Sequence, residues 1–207
     1  MIVTEMKELT RSRIKVVLDG EFAFVLYKGE LRRYHILVGE ALGKKEYEEI
    51  FHEVLPKRAK MRAMNLLLKK DYTTAQLRRK LLQGGYPNDI VEEALTYVQS
   101  FRYTDDQRYA MNYILCHEKD KSRIRIEHDL QLKGIDDEII EKAFLQWEQE
   151  GGEQDEDEMI QKLLAKRHYD ALCATPADQK REYAYLMRKG FSADRIAEVI
   201  FSHDNFI

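Results

Sequence analysis

Apolar and polar positions alternate with two different periods along this chain. The runs Ile14–Leu18 and Phe22–Leu26 are rich in β-branched and aromatic residues and are joined by Asp19-Gly20. Both central positions of a type I′ turn need positive φ, which Asp-Gly tolerates, so the segment predicts a β-hairpin. Lys28-Gly29 reads as a second turn leading out of it. Two strands alone are marginal in water, so the hairpin must pack on a neighbour. The nearest candidate is Lys44–Leu55, where Tyr47, Ile50, Phe51 and Val54 share one helical face. Pro56 then fits the first turn of a new helix.

Beyond Pro56 the period becomes helical and the pattern repeats. Three segments align on Gly85, Gly134 and Gly190, which stand 49 and 56 residues apart. Leu81, Leu130 and Leu186 lie four residues before these glycines, and Tyr86, Ile135 and Phe191 follow them directly. Val91, Ile140 and Ile196 lie six residues after; Ala94, Ala143 and Val199 nine after; Leu95, Phe144 and Ile200 ten after. Twelve residues before each glycine stand Thr73, Ser122 and Asp178, all good N-cap types. Thr73 also has Gln76 at the capping-box position. A cap starts a helix, leucine marks its buried face, and glycine ends it, because a left-handed C′ residue is cheapest without a Cβ. A second helix follows each glycine.

Each such pair is preceded by a further helix. These are expected over Lys57–Lys70, from a Thr104/Gln107 capping box through Tyr109, Tyr113 and Cys116, and over roughly Asp157–Tyr169. The expected fold is therefore mainly α: three tandem three-helix units in an elongated curved array, with a small N-terminal β-hairpin. The boundaries are 1–55 for the hairpin and its helix, then 56–103, 104–152 and 153–207 for the repeats.

Composition narrows the function. No apolar run approaches a membrane span and the first residues lack a secretory h-region, so no membrane partner is expected. Two cysteines are too few for a disulfide framework, which points to the cytoplasm. Net charge is −3, from 34 Lys+Arg against 37 Asp+Glu, but the distribution is polarised. Nine basic residues and the single acid Asp71 lie between Lys57 and Lys80, whereas Glu148–Glu158 holds seven acids and no base.

The tandem units resemble the RecX family of bacterial recombination regulators. The link TYVQSFRYTDDQRYA, residues 96–110, is similar to that family's Asp-Asp connection through Asp105-Asp106 and Arg108-Tyr109-Ala110. VVLDGEFAFVLYKGELRRYHI resembles the N-terminal extension of longer members, and LMRKGFSADRIAEVI fits the third unit. Where the family pattern has glycine ahead of the Asp-Asp link, this chain has Phe101-Arg102, so the turn there is formed differently. The resemblance covers essentially the whole chain. It implies a protein that binds the RecA recombinase, lodges in the groove of the RecA–DNA filament and restrains it, with single- or double-stranded DNA as a further partner. A monomer is expected.

The candidate partner-binding residues are Lys57, Arg58, Lys60, Arg62, Arg78, Arg79 and Lys80, with Lys121, Arg123 and Arg125 at the equivalent helix start of the second unit. Cations at this density suit phosphates or an acidic groove, and only one acid locally opposes them. The plainer alternative is a solvated helix face. The acidic run reads as the start of a helix, where acids favour the dipole. No catalytic set, metal site or cofactor loop emerges: the histidines lack HExxH spacing, and Gly84-Gly85 lacks the strand, lysine and spacing of a P-loop. Cys116 and Cys173 read as small core residues on apolar helix faces. Tyr109 and Tyr113 read as core and not as a base-stacking platform. The rival functions are a DNA-binding regulator acting directly on nucleic acid and a helical scaffold for another protein.

Overall fold

The structure, a computed structural model, describes residues 1–201; the expected end of the third repeat, 202–207, lies outside the described residues. Strands β1 (Val3–Thr10), β2 (Arg13–Leu18) and β3 (Glu21–Tyr27) form an antiparallel meander in that order. The expected hairpin is β2–β3, with Asp19 at φ 48° and Gly20 at φ 86° in its turn. Strand β1 is an addition. It buries only Val3 and half-buries Met6, so it carries no period-2 signal, and it is held by its ladder to β2. Lys28-Gly29 is not a turn but the opening of helix α1 (Lys28–Arg33), where the Tyr27 N–H donates to Glu30 Oε2 at 2.7 Å.

The inner face of the sheet, Val16, Leu18, Phe24 and Leu26, packs with Ile50, Leu55 and the helices beyond in one core. Phe24 meets Tyr47 at 6.2 Å between ring centroids, and Tyr47 stacks on Phe51 at 5.6 Å. The segment Lys44–Leu55 thus covers the sheet as its helical face predicts. Pro56 does not mark a fresh helix, however. Helix α2 (Lys44–Glu49) runs through a π-helical turn, Ile50–Val54, into α3 (Leu55–Leu67), with helical backbone at Glu49, Ile50, Val54 and Leu55. Proline lacks an N–H and its ring crowds the carbonyl four residues back. The wider turn, in which Leu55 N–H reaches the Ile50 carbonyl, accommodates it without a break.

Three helix triplets follow: α3, α4 (Thr74–Gln83) and α5 (Asn88–Ser100); α6 (Asp106–His117), α7 (Arg123–Leu132) and α8 (Asp137–Gln149); α9 (Glu156–Lys166), α10 (Pro176–Lys189) and α11 (Ala193–Phe201). The repeat glycines have φ of 80°, 81° and 90°. After each, the apolar residue donates to the leucine carbonyl: Tyr86 to Leu81 at 3.5 Å, Ile135 to Leu130 at 3.2 Å and Phe191 to Leu186 at 3.4 Å. This is the Schellman arrangement. The repeated leucine therefore does two things, burying its side chain completely and accepting the bond that closes its helix.

Thr73 caps α4 with the expected Gln76 box, and Ser122 caps α7. Asp178 does not cap α10. The cap is Thr175, followed by Pro176 in the first turn, and Asp178 is the reciprocating N3 residue. That helix starts three residues earlier because Thr-Pro already presets its first turn. Helix α6 begins at Asp106, so Thr104 lies ahead of the cap position, and its hydroxyl donates to the Tyr72 carbonyl at 3.1 Å. Cys116 and Cys173 are exposed and not core: Cys116 lies off the Ala110–Met111–Ile114 face of α6, and Cys173 sits in the connection between α9 and α10.

The fold divides into two compact units, Met1–Asp105 and the residues from Asp106 onward. The first has one continuous core that joins the sheet to the first triplet. The second holds two clusters, one per triplet. Among the described residues no helix is long and apolar enough to cross a membrane.

Candidate partner-binding surface

Basic residues of the first triplet separate into engaged and unengaged sets. Arg58 pairs with Glu30, donates to the Val25 carbonyl at 3.2 Å and lies 4.8 Å from the Tyr27 ring centroid. Lys60 meets Glu93 at 2.6 Å. Arg78 grips Glu92 with two hydrogen bonds of 2.7 and 2.8 Å, and those bonds are the main reason that the Glu92 carboxyl lies below its ordinary pKa. Lys57 reaches Glu53 only at 4.0 Å, with both side chains well exposed, a geometry worth little. Arg62, Arg79 and Lys80 are exposed, and among the described residues none has a carboxylate within ion-pair distance. The local excess of charge is thus partly answered by acids from α1 and α5.

Two of the unengaged cations line one cleft. Arg62 and Lys80 meet Arg58, Arg13, Tyr27 and Tyr86 around a space of about 400 Å³ where β2, β3, α3 and the end of α4 converge. Arg13, at the start of β2, donates through Nη2 to the Gly84 carbonyl. Sequence reasoning had no means of finding Arg13, because only the register of the sheet against the α4 turn brings it there. Burial raises the Tyr86 hydroxyl pKa, while Arg58, Arg13 and Arg62 pull it down, so three guanidinium groups act on one hydroxyl.

In the second unit the expected binding residues are engaged internally. Lys121 donates to Asp129 at 2.9 Å and to the Tyr113 hydroxyl at 2.8 Å. Arg125 meets the same Asp129 at 3.0 Å. Burial would raise the Asp129 pKa, but its bonds from Lys121 and Tyr113 and the charges of Lys121 and Arg125 hold it down. Arg123 spans Glu127 at 2.8 Å and Glu148 at 2.7 Å, with its guanidinium 4.5 Å from the Phe144 ring centroid. Glu148 of the acidic run is therefore a tether for α7. Asp155 caps α9 and Glu156, Asp157 and Glu158 fill its first turn, as the dipole reading expects. Among the described residues no group of three or more His, Cys, Asp or Glu is placed to hold a metal ion.

The triplets match three family models in tandem: the first three-helix domain of RecX over residues 59–97, the second over 105–143 and the third over 154–200. The regulatory protein RecX of Vibrio vulnificus is 31% identical over 139 residues, covering 65% of this chain and 85% of that protein. The chain belongs to the RecX family. The regulatory protein RecX of Clostridium acetobutylicum is 25% identical over 209 residues, spanning 97% of this chain and 96% of its own length. That of Bacillus subtilis is 26% identical over 187 residues, 89% of this chain and 70% of the relative. A crystal structure of regulatory protein RecX superposes with a TM-score of 0.58 at 24% identity, over 97% of this chain and 98% of that one. RecX from Lactobacillus salivarius gives 0.52 at 24% identity, over 73% and 97%. The fold is shared, and the relatives' name describes regulatory proteins.

Proposed function

We propose that the chain regulates the RecA recombinase by binding the RecA–DNA filament, lodging in its groove and restraining recombination, as a cytoplasmic monomer with no chemical step of its own. The observation that carries this is the tandem run of three RecX domain matches, in a chain whose relatives are named regulatory proteins. A ligand that binds one filament state better than another shifts the equilibrium by that difference alone, so no catalytic group is needed. Repeats of the kind marked by residues 56–103, 104–152 and 153–207 suit a partner that is itself helical and repetitive. For the contact surface we favour the exposed cations Lys57, Arg62, Arg79 and Lys80 over the engaged Arg58, Lys60, Arg78, Lys121, Arg123 and Arg125. A side chain already holding a carboxylate must give that bond up before it can serve a partner.

The test is strand exchange by RecA on single-stranded DNA with increasing amounts of this chain, alongside filament assembly followed by light scattering. Suppression at stoichiometric amounts or below is expected. Unchanged assembly and unchanged exchange would overturn the proposal.

A further inference from the structure

The cleft of unit 1 is more specific than a basic surface. Its walls bring Arg13, Arg58, Arg62 and Lys80 around one space of about 400 Å³. Glu30 answers Arg58. Among the described residues, no carboxylate lies within ion-pair distance of Arg13, Arg62 or Lys80, which leaves a local excess of three positive charges. Like charges gathered in a partly enclosed space repel, and the field they focus there attracts an anion. The floor is built from anchored groups: Val25 belongs to the sheet, Tyr86 is buried, and the Gly84 carbonyl accepts from Arg13. The Arg62 guanidinium, the Arg13 donors not bonded to Gly84 and the Lys80 ammonium approach from several directions, which suits a tetrahedral oxyanion better than a planar carboxylate.

We propose that this cleft binds a dianionic phosphate monoester, the terminal phosphate of a nucleotide. A monoester carries up to two charges at neutral pH, against one for a diester, and so offsets more of the local excess. A phosphate inside a strand must also let the chain leave in two directions, whereas here the sheet and the α4 turn close one side. The same chemistry is offered by a free nucleotide and by the 5′-phosphorylated end of a DNA strand. Arg62 and Lys80 also belong to the filament-contact surface proposed above, so the test omits RecA. A failure here leaves the filament reading standing, and a failure there leaves this site standing.

The experiment is a titration of the full chain with inorganic phosphate and with adenosine 5′-monophosphate, followed by the arginine Nε–H signals in NMR against chloride at equal ionic strength. Competition then uses a short single-stranded oligonucleotide with and without a 5′-phosphate. Saturable shifts are expected, with affinity falling below about pH 6 as the monoester takes up its second proton. Lys80→Gln and Arg62→Glu, both at exposed side chains, should each weaken binding by about tenfold or more, with circular dichroism unchanged. Lys45→Glu on α2 should leave binding as it is. Displacement by the 5′-phosphorylated strand alone would support the site and assign it to strand ends; displacement by neither strand would support it and assign it to free nucleotides. Shifts no greater than those of chloride, full affinity in both variants, or equal displacement by the strand lacking a 5′-phosphate would overturn the proposal.

Discussion

The Ser122 hydroxyl donates to the Gly190 carbonyl at 2.7 Å. Ser122 is the N-cap of α7 in the second triplet, and Gly190 is the left-handed residue that closes α10 in the third. The same hydroxyl accepts from the Arg125 N–H at 3.3 Å, while the Ser122 N–H donates to the Lys189 carbonyl at 3.1 Å. One repeat's start signal is thus bonded to the next repeat's stop signal. A Cβ on Gly190 would approach Ser122 Oγ and Arg125 Cβ to 2.5 Å, so the junction needs glycine for space as well as for its φ.

Ser122→Ala should therefore cost more than a lost cap. Removing a cap costs about 1 kcal/mol, and leaving the half-buried Gly190 carbonyl short of its donor adds up to about 1 kcal/mol. Thr175→Ala, at the exposed cap of α10, removes a hydroxyl that bonds only within its own first turn, accepting from the Asp178 N–H and donating to the Asp178 carboxylate. Trp147 is the single tryptophan and is buried in the second unit, so its fluorescence in urea reads this unit specifically. Equal losses for the two variants would show that the bond to Gly190 contributes nothing.

The corresponding glycine of the first triplet presses on the sheet. A Cβ at Gly85 would clash with Val25 Cγ2, and the backbone there is at φ 80°. Gly85→Ala should cost about 1 kcal/mol in backbone strain and more from the clash; Val25→Ala alone should cost about 2 kcal/mol. The double variant should be more stable than the sum of the two by about 1 kcal/mol, since the smaller side chain relieves the clash. Denaturant-dependent hydrogen exchange of unit 1 amides measures this. Strict additivity would mean that the turn moves away from β3.

Where the sequence was legible, one residue pattern served one local bond. Leucine, glycine and an apolar residue at fixed spacing are what the Schellman bond requires, so aligning the glycines found three helix ends. The same turn is also made without glycine, by Arg102 at φ 54° and His168 at φ 56°, and nothing in those residue types announces it. At Phe101-Arg102, where the sequence predicts a differently formed turn, the turn is the same one: Arg102 takes the left-handed position and the Tyr103 N–H donates to the Val98 carbonyl at 2.9 Å. Strand β1 carries no period because both of its faces meet solvent almost throughout, with only Val3 buried and Met6 half-buried. Charge was the least legible feature. Arg58 and Glu30 stand 28 residues apart and Arg13 and Gly84 71 apart, so the density of cations along the chain said little about which remain unengaged.

Glu182 gives unit 2 an acid-sensitive element. It is 1% exposed and accepts from Arg167 and Arg181. The Arg167 hydrogen bond is the main reason that its pKa falls below the ordinary 4.5, against the burial that would raise it. A carboxyl with a depressed folded pKa stabilises fully above its unfolded value and loses that contribution as pH falls through the folded one. Unit 2 should therefore weaken as pH drops below 4.5. Glu182→Gln should flatten that decline and cost about 2 kcal/mol at neutral pH, less than a fully buried pair because Arg167 is 37% exposed. An unchanged acid profile of Trp147 fluorescence in the variant would refute the assignment.

Arg78 and Arg79 are neighbours in the chain and should behave oppositely. Arg78→Ala breaks the two bonds to Glu92 and should lower unit 1 stability by up to about 1 kcal/mol, with little change in filament binding. Lys57→Glu with Arg79→Glu should leave stability within about 0.5 kcal/mol. If each reversal at an exposed contact is worth about 0.7 kcal/mol, the pair should weaken binding to RecA filaments by about tenfold. Cosedimentation with preformed filaments and thermal melting together decide it. Tighter dependence on Arg78 than on Lys57 and Arg79 would move the contact to the engaged residues.

His168 should be improvable. It ends α9 in the left-handed region, with its N–H bonded to the Ala165 carbonyl at 3.0 Å and the Tyr169 N–H to Leu164 at 3.1 Å. A residue with a Cβ incurs about 1–2 kcal/mol there, whereas glycine avoids that strain and loses about 0.5–1 kcal/mol in chain entropy on folding. His168→Gly should therefore stabilise unit 2 by about 0.5–1 kcal/mol, visible as a later urea midpoint of Trp147 fluorescence with an unchanged slope. A lower midpoint would mean that the imidazole, which lines one cleft with Asp170, Cys173 and Arg181, contributes more through its contacts than its backbone loses in strain.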